Sequence, residues 1–319
     1  MADEVQLSDI QAAAARIRGI IHRTPVLTSR SFDALVGVQV FFKCENYQRG
    51  GAFKFRGASN FIRSMPKDQL GRGVVTYSSG NHAQAVAIAA ASVGATATIV
   101  MPTDAPKSKV AATRGYGAKI IFYDRSTQDR ETVGKQVTEE LGATLVPPYD
   151  HPWTIAGQGT AALELLEEVP DLDALVVPVG GGGLISGCSI AATALRPGIR
   201  IFGVEPDDGN DTFLSLKAGQ RTEIPPPQTI ADGLRAAKPG ALTFPIVQKL
   251  VEAIVLVSDD AIRQAMKFML TRMKTLVEPS GAVPAAALLQ HKLPNEPKRI
   301  GAIVSGGNVD FDVLKTLDC

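Results

Sequence analysis

Lys54 lies in the stretch Ala52-Phe-Lys-Phe-Arg-Gly-Ala58, with Gly50 and Gly51 just before it. On a strand-to-helix turn, flanked by Phe53 and Phe55, its ammonium group would be partly stripped of water, which lowers the pKa toward that of a nucleophilic amine. A surface lysine beside buried aromatics fits the same stretch. Three further segments offer the company such an amine needs. Ser78-Ser-Gly-Asn-His82 follows a β-rich run and opens an Ala-rich helical pattern. Backbone N–H groups at a helix start, with hydroxyls beside them, form a seat for a carboxylate; the same residues also suit an ordinary helix cap. Gly180-Gly-Gly-Gly183 follows another apolar run, and four residues without Cβ let backbone amides wrap a phosphate. Ser305-Gly-Gly-Asn308 follows the last such run, at the strand edge where open α/β sheets take ligands.

These segments need elements to hold them. β-Rich runs stand at 38–43, 74–77, 97–101, 119–123, 174–179, 201–204, 254–257 and 300–304, with helical patterns between them. Ser8-x-x-Gln11 reads as a capping box opening the first helix. Ser258, with Asp259 and Asp260, opens another, whose apolar residues from Ile262 to Leu276 keep a 3.6-residue period. Strands this apolar, alternating with helices, imply parallel sheets covered on both faces. The stretch 73–147 reads as a βαβαβα unit, and the flanks 1–72 and 148–319 as a second, larger, discontinuous sheet domain.

Composition removes several function classes. The 319 residues carry 33 Lys and Arg against 32 Asp and Glu, so neither nucleic acid nor a membrane surface is bound by bulk charge. Cys44, Cys188 and Cys319 form no C-x-x-C pair, and the four histidines lack H-x-x-x-H spacing, so no disulfide framework or zinc site is expected. The uncharged runs at 83–103 and 174–195 are broken by Gly94 and by the tetraglycine, so each reads as helix and strand rather than a membrane span. Asp3 and Glu4 open the chain without an apolar core, so no signal peptide is expected and a cytoplasmic location is. A dinucleotide site is disfavoured because G-x-G-x-x-G fails in both registers, at Ile185 and Ser186. Glu205-Pro-Asp-Asp-Gly-Asn-Asp211 gathers four acids in seven residues, as a Mg²⁺ or Ca²⁺ site or as a solvated turn.

The joint set of motifs resembles the fold type II pyridoxal-phosphate (PLP) enzymes, in the branch of serine and threonine dehydratases, serine racemases and 3-hydroxyaspartate dehydratases. It comprises the Lys54 stretch, the Ser-Ser-Gly-Asn-His loop, Ile155-Ala-Gly-Gln-Gly-Thr160, the tetraglycine and Ile230-Ala-Asp-Gly233. The resemblance spans His22 to Asn308. It implies an α/β, tryptophan synthase beta-like fold with two open twisted sheets, the unit 73–147 being a small mobile domain, and a homodimer. It makes Lys54 the Schiff-base lysine and the base for the Cα proton, with Phe53 against the pyridine ring and Asn81 on its 3-oxygen. Gly180, Gly181, Gly182, Gly183 and Leu184 would hold the phosphate, and Ser305 the ring nitrogen. Ser78, Ser79, Gly80, Asn81 and His82 would grip the substrate carboxylate, and Arg130 a second one. Glu205, Asp211 and the Gly209 carbonyl would hold Mg²⁺, Mn²⁺ or Ca²⁺.

Ser79 stands where the threonine-dehydratase branch tends to have Ala, and in the racemase-like branch that serine faces Cα opposite the lysine. Elimination and racemisation then compete. The expected activity is a PLP-dependent ammonia-lyase acting on serine, threonine or 3-hydroxyaspartate; the alternatives are a racemase and, in another class, a non-catalytic amino-acid-binding module. Arg30 replaces a small hydroxyl residue at the nucleotide effector site of animal racemases, so ATP activation is not expected. The short tail after Asn308 leaves no room for a C-terminal regulatory domain, so isoleucine feedback is not expected either.

Overall fold

Ten strands order the chain: β1 (Val26–Leu27), β2 (Gln39–Cys44), β3 (Val74–Tyr77), β4 (Ala97–Pro102), β5 (Lys119–Tyr123), β6 (Thr144–Leu145), β7 (Ala174–Pro178), β8 (Arg200–Pro206), β9 (Ala253–Val257) and β10 (Arg299–Val304). The computed structural model describes residues 5–105, 107–295 and 297–317, except the side chain of Ser108; Asp3, Glu4 and Cys319 lie outside the described residues. Six strands form one sheet in the order β1-β2-β10-β7-β8-β9, and four form another in the order β5-β4-β3-β6. Every pairing is parallel except β1 with β2. β4 and β7 are buried along their whole length, as strands covered on both faces must be.

All eight anticipated strands are present. Two more, β1 and β6, are only two residues long and too short to leave a periodic pattern. The first helix differs at its start. It runs Leu7–Ile17 with Gln6 as its cap, and the Gln6 N–H donates to Asp9 Oδ2 at 2.8 Å, so Ser8 is inside the helix. Starting there aligns Leu7 with Ile10, Ala14 and Ile17 at helical spacing. The Ser258 cap is as expected, its Oγ accepting from the Ala261 N–H, but the helix ends at Thr271 and Leu276 lies beyond it, exposed. No helix among the described residues is long and apolar enough to cross a membrane.

Three helices join the two sheets. Phe55, Ala58, Phe61 and Ile62 of helix Lys54–Ser64 pack into the core of the four-stranded sheet. Its Gly57 faces helix Pro152–Glu168 instead, where a Cβ added to Gly157 would come within 2.6 Å of the Gly57 Cα. On another side of that helix, a Cβ on Gly187 of helix Gly183–Leu195 would meet the Ile155 carbonyl at 2.2 Å. The helix that starts at Lys54 and the helix that starts at the tetraglycine are thus both locked, backbone against backbone, onto one central helix.

A buried charge network fixes the start of the first of these. The Arg56 guanidinium is fully buried and forks onto Glu45, with Nε to Oε2 at 2.7 Å and Nη2 to Oε1 at 2.8 Å. A second fork reaches both oxygens of Glu164 at 2.8 Å, and Thr160 Oγ1 accepts the fifth N–H at 3.1 Å. Lys43 Nζ joins Glu164 and the Thr24 carbonyl, each at 2.7 Å. Two cations face two carboxylates, so the cluster is neutral. Burial works against the Arg56 charge, but Glu45 and Glu164 outweigh it and raise its pKa above the usual value. Replacing one partner of such a set leaves an uncompensated buried charge. Arg56→Met is expected to lower stability by about 3–5 kcal/mol, read as a fall in the denaturant midpoint; a loss under ~1 kcal/mol, the scale of an exposed pair, would contradict this account.

Candidate active site

The C-terminal ends of β2, β3, β7 and β10 converge on one crevice, the usual ligand position in open α/β sheets. From β10 comes Ser305, whose carbonyl accepts the Phe53 N–H at 3.0 Å, while the Gly51 carbonyl accepts the Gly307 N–H at 2.9 Å. This strap sets Lys54 beside Ser305. The Lys54 Nζ donates to the Pro148 carbonyl at 2.7 Å and lies 5.1 Å from the Phe53 ring centroid. Burial of the amine lowers its pKa to about 8, with Glu278 pulling the other way. No carboxylate forms an ion pair with it among the described residues. The desolvated amine expected at this position is therefore present, and the Pro148 carbonyl fixes where it points.

The tetraglycine leads into helix Gly183–Leu195 from the end of β7. The N–H groups of Gly181, Gly182, Gly183 and Leu184 donate to no acceptor among the described residues, so four donors converge at a helix N-terminus. Thr243 Oγ1 holds the Gly181 carbonyl at 2.7 Å. The need for glycine is steric: a Cβ on Gly181 would lie 2.4 Å from the Tyr149 ring, and Gly182 has φ +91°. Nothing in the sequence singles out Tyr149, which is flanked only by Pro148 and Asp150. In the structure the segment 146–150 touches three parts of the site. The Val146 carbonyl bonds His82, that of Pro148 bonds Lys54, and Tyr149 covers the tetraglycine. Asp150 accepts the N–H groups of Ala241, Leu242 and Thr243.

The Ser78–His82 loop lies at the mouth of helix Asn81–Ala91. Ser78 Oγ accepts the Gly80 N–H at 3.3 Å, while the Ser79 hydroxyl has no partner among the described residues. His82 is buried, its Nε2 3.0 Å from the Val146 carbonyl and its Nδ1 unpartnered. Burial, then the Lys54 charge, push its pKa down to about 3. His82 is thus a neutral ring, and only its backbone N–H is suited to an anion. The Asn81 amide donates to both oxygens of Glu278, at 2.8 and 3.0 Å, and its Oδ1 accepts from Asn308 Nδ2 at 2.9 Å. The Ser305 side chain is nearly buried and its hydroxyl makes no hydrogen bond among the described residues.

Arg130 opens helix Arg130–Leu141 and is exposed, close enough to Tyr77 and Tyr149 for its charge to act on both phenols. Glu205 is fully buried; its carboxylate accepts the Thr212 N–H at 3.1 Å and the Phe213 N–H at 2.9 Å. Asp211 is equally buried, and neither of its oxygens has a donor. Burial, and for Glu205 the neighbouring Asp211, push both carboxyls up, that of Asp211 to about 7. Among the described residues no group of three or more His, Cys, Asp or Glu side chains is arranged for a metal. Cys44 and Cys188 are buried and unpaired, their thiols pushed up to about 12 by burial.

The family of pyridoxal-phosphate dependent enzymes matches this chain over residues 17–306, and the chain belongs to it. L-threo-3-hydroxyaspartate ammonia-lyase of Saccharomyces cerevisiae is 51% identical over 309 residues, covering 97% of this chain and 95% of its own. Serine racemase of Schizosaccharomyces pombe is 49% identical over 306 residues, 95% of this chain and 94% of its own. The structure of maize serine racemase superposes with a TM-score of 0.95 at 50% identity, covering 98% of this chain and 96% of its own. The fold is that of the tryptophan synthase beta-like, fold type II PLP enzymes, as the motifs implied.

Lys54 should react as an amine with a depressed pKa. In cofactor-free protein, acylation at position 54, followed by peptide mass analysis, is expected to rise with pH through a midpoint near 8. A midpoint at the ordinary lysine value, about 10.4, would contradict the desolvated setting.

Proposed function

We propose that this chain is a PLP-dependent ammonia-lyase that removes water from a small β-hydroxy-amino acid, with 3-hydroxyaspartate as the favoured substrate. The supporting observation is the desolvated amine of Lys54, which has no ion-pair partner among the described residues, near four free backbone donors and the Ser78–His82 helix start. Those donors fit a phosphate, and the unpartnered Ser305 hydroxyl fits a pyridine nitrogen. When bound, PLP supplies the electron sink that makes the Cα proton of an amino acid acidic.

The protein's own groups then divide the work. Lys54 would anchor the cofactor aldehyde against Phe53 and later take the Cα proton on Nζ. Gly180, Gly181, Gly182, Gly183 and Leu184 hold the phosphate, and Asn81 the 3-oxygen. A hydroxyl at Ser305 leaves the ring nitrogen largely neutral, which favours rapid loss of the β-hydroxyl. Backbone N–H groups of Ser79, Asn81 and His82, with the Ser78 hydroxyl, would seat the substrate carboxylate, and the Gly80 N–H, which donates to Ser78 Oγ, would hold that hydroxyl in place. After water is lost, the released enamine hydrolyses to a 2-keto acid and ammonium. The unit 73–147 would move as a small domain against 1–72 and 148–319, enclosing the substrate.

Arg130 supports the dicarboxylate substrate. Its guanidinium is exposed, makes no ion pair among the described residues and lies near Tyr77 and Tyr149, the second of which covers the tetraglycine. A second reading, racemisation, is favoured by the free Ser79 hydroxyl, which could return a proton to the face opposite Lys54. Asp211 supports a divalent cation: two buried carboxyls, one without any donor, fit Mg²⁺, Mn²⁺ or Ca²⁺ on Glu205, Asp211 and the Gly209 carbonyl. A homodimer rests on family resemblance alone.

Assayed for 2-keto acid against serine, threonine and 3-hydroxyaspartate, the holoenzyme is expected to turn over the dicarboxylate with the highest kcat/KM. Arg130→Ala should then raise KM for 3-hydroxyaspartate about tenfold or more, the loss of one charge-assisted bond, while serine turnover changes little. No turnover of any member would sink the lyase reading and favour a binding module. In deuterated buffer, Ser79→Ala should suppress chiral interconversion of serine and spare elimination; equal loss of both would contradict a two-face arrangement. Added Mg²⁺ should raise the melting temperature of chelator-treated protein, and Asp211→Asn should abolish that response.

A further inference from the structure

Polar contacts cross between the two sheets within the site at Asn81, which meets both Glu278 and Asn308. Asn81 begins the helix that follows β3, whereas Glu278 caps helix Pro279–Leu289, which packs on the six-stranded sheet. We propose that Glu278 is a positioning residue: with Asn308, it holds the Asn81 side-chain amide in one orientation, so that one Nδ2 hydrogen is presented to the 3-oxygen of the bound cofactor. The inference rests on the reading above that Asn81 meets that oxygen.

An asparagine amide can sit in either of two flipped orientations, and its partners decide between them. Here the choice propagates from the backbone. Asn308 Nδ2 donates to the Gly50 carbonyl at 2.7 Å, which fixes which end of Asn308 faces Asn81. The same nitrogen meets Asn81 Oδ1 at 2.9 Å, so Nδ2 of Asn81 must point to Glu278. A flipped Asn81 would set its nitrogen against the Asn308 nitrogen and lose that bond. One Asn81 hydrogen shared between the two Glu278 oxygens leaves the second free. Glu278 itself has no latitude. Its N–H donates to the Gly306 carbonyl at 3.1 Å, and a Cβ on Gly306 would lie 2.4 Å from Oε1. Burial and the nearby Asp232 push its carboxyl up to about 8, against the Asn81 hydrogen bonds and Lys109. The group is a fixed partner for the Asn81 amide, with no ion-pair partner of its own among the described residues.

The test reads cofactor binding rather than turnover. PLP is titrated into cofactor-free wild type and Glu278→Ala, Glu278→Gln, Asn308→Ala, Asn81→Ala and Asn81→Ala/Glu278→Ala variants. The dissociation constant is measured together with the ratio of near-ultraviolet to visible bands, which reports whether the 3-oxygen carries a proton. Glu278→Ala is expected to weaken PLP binding roughly tenfold, about 1.4 kcal/mol, and to shift the band ratio. Glu278→Gln, which keeps one acceptor oxygen, should recover most of both. In the Asn81→Ala background the Glu278 change should add nothing. Unaltered binding and bands in Glu278→Ala, or losses that multiply with those of Asn81→Ala, would overturn the proposal. Should Glu278→Ala not fold, Asn308→Ala is read by the same criteria. Wild type that takes up no PLP would refute the functional reading itself, a result separable from indifference at position 278.

Discussion

The position of the reactive lysine depends on a guanidinium with nowhere else to go. Arg56 lies two residues beyond Lys54, and all five of its N–H donors are used by Glu45, Glu164 and Thr160. Those acceptors come from the turn after β2 and from helix Pro152–Glu168, so one side chain ties together the two elements that must meet at the site. Desolvating ions costs several kcal/mol each, and only near-complete pairing offsets that cost. Such a network tolerates one geometry well and its neighbours badly. The start of helix Lys54–Ser64 is therefore rigid while the Lys54 amine, two residues away, keeps a single neutral partner.

The same helix belongs to both halves of the protein. Its apolar residues complete the core of the four-stranded sheet, while Gly57 presses onto the central helix beneath the six-stranded sheet. A rearrangement of one sheet relative to the other would have to pivot about this element. Polar contacts also span the crevice, from Asn81 to Glu278 and Asn308 and from Lys109 to Asp232. In the segment 146–150 the backbone carbonyls, whose positions do not depend on rotamers, contact Lys54 and His82.

Much of the site was legible because its chemistry depends on residue type at short range. A lysine between two phenylalanines, four successive glycines and a Ser-Ser-Gly-Asn-His loop each restrict local backbone or solvation; the glycines and the loop follow the expected strand ends, while two 3-10 turns separate Lys54, at the start of its helix, from the end of β2. Short elements were not legible: β1 and β6 pair only two residues each, so they exist through their partners rather than their own pattern. Ser8 failed as a cap because the apolar phase set by Leu7, Ile10 and Ile17 outweighed a local hydrogen-bond preference.

By itself the sequence determined the alternation of buried strands and helices, the strand-end motifs and the class of chemistry, because periodicity and glycine or lysine placement act within a few residues. The tertiary structure alone decided the partners. Glu278 meets Asn81 across 197 positions, Tyr149 covers the tetraglycine, and Asp211 is left with two buried oxygens and no donor. A carboxylate's role depends on what its burial removes and which donors replace water, and those are set by elements distant along the chain.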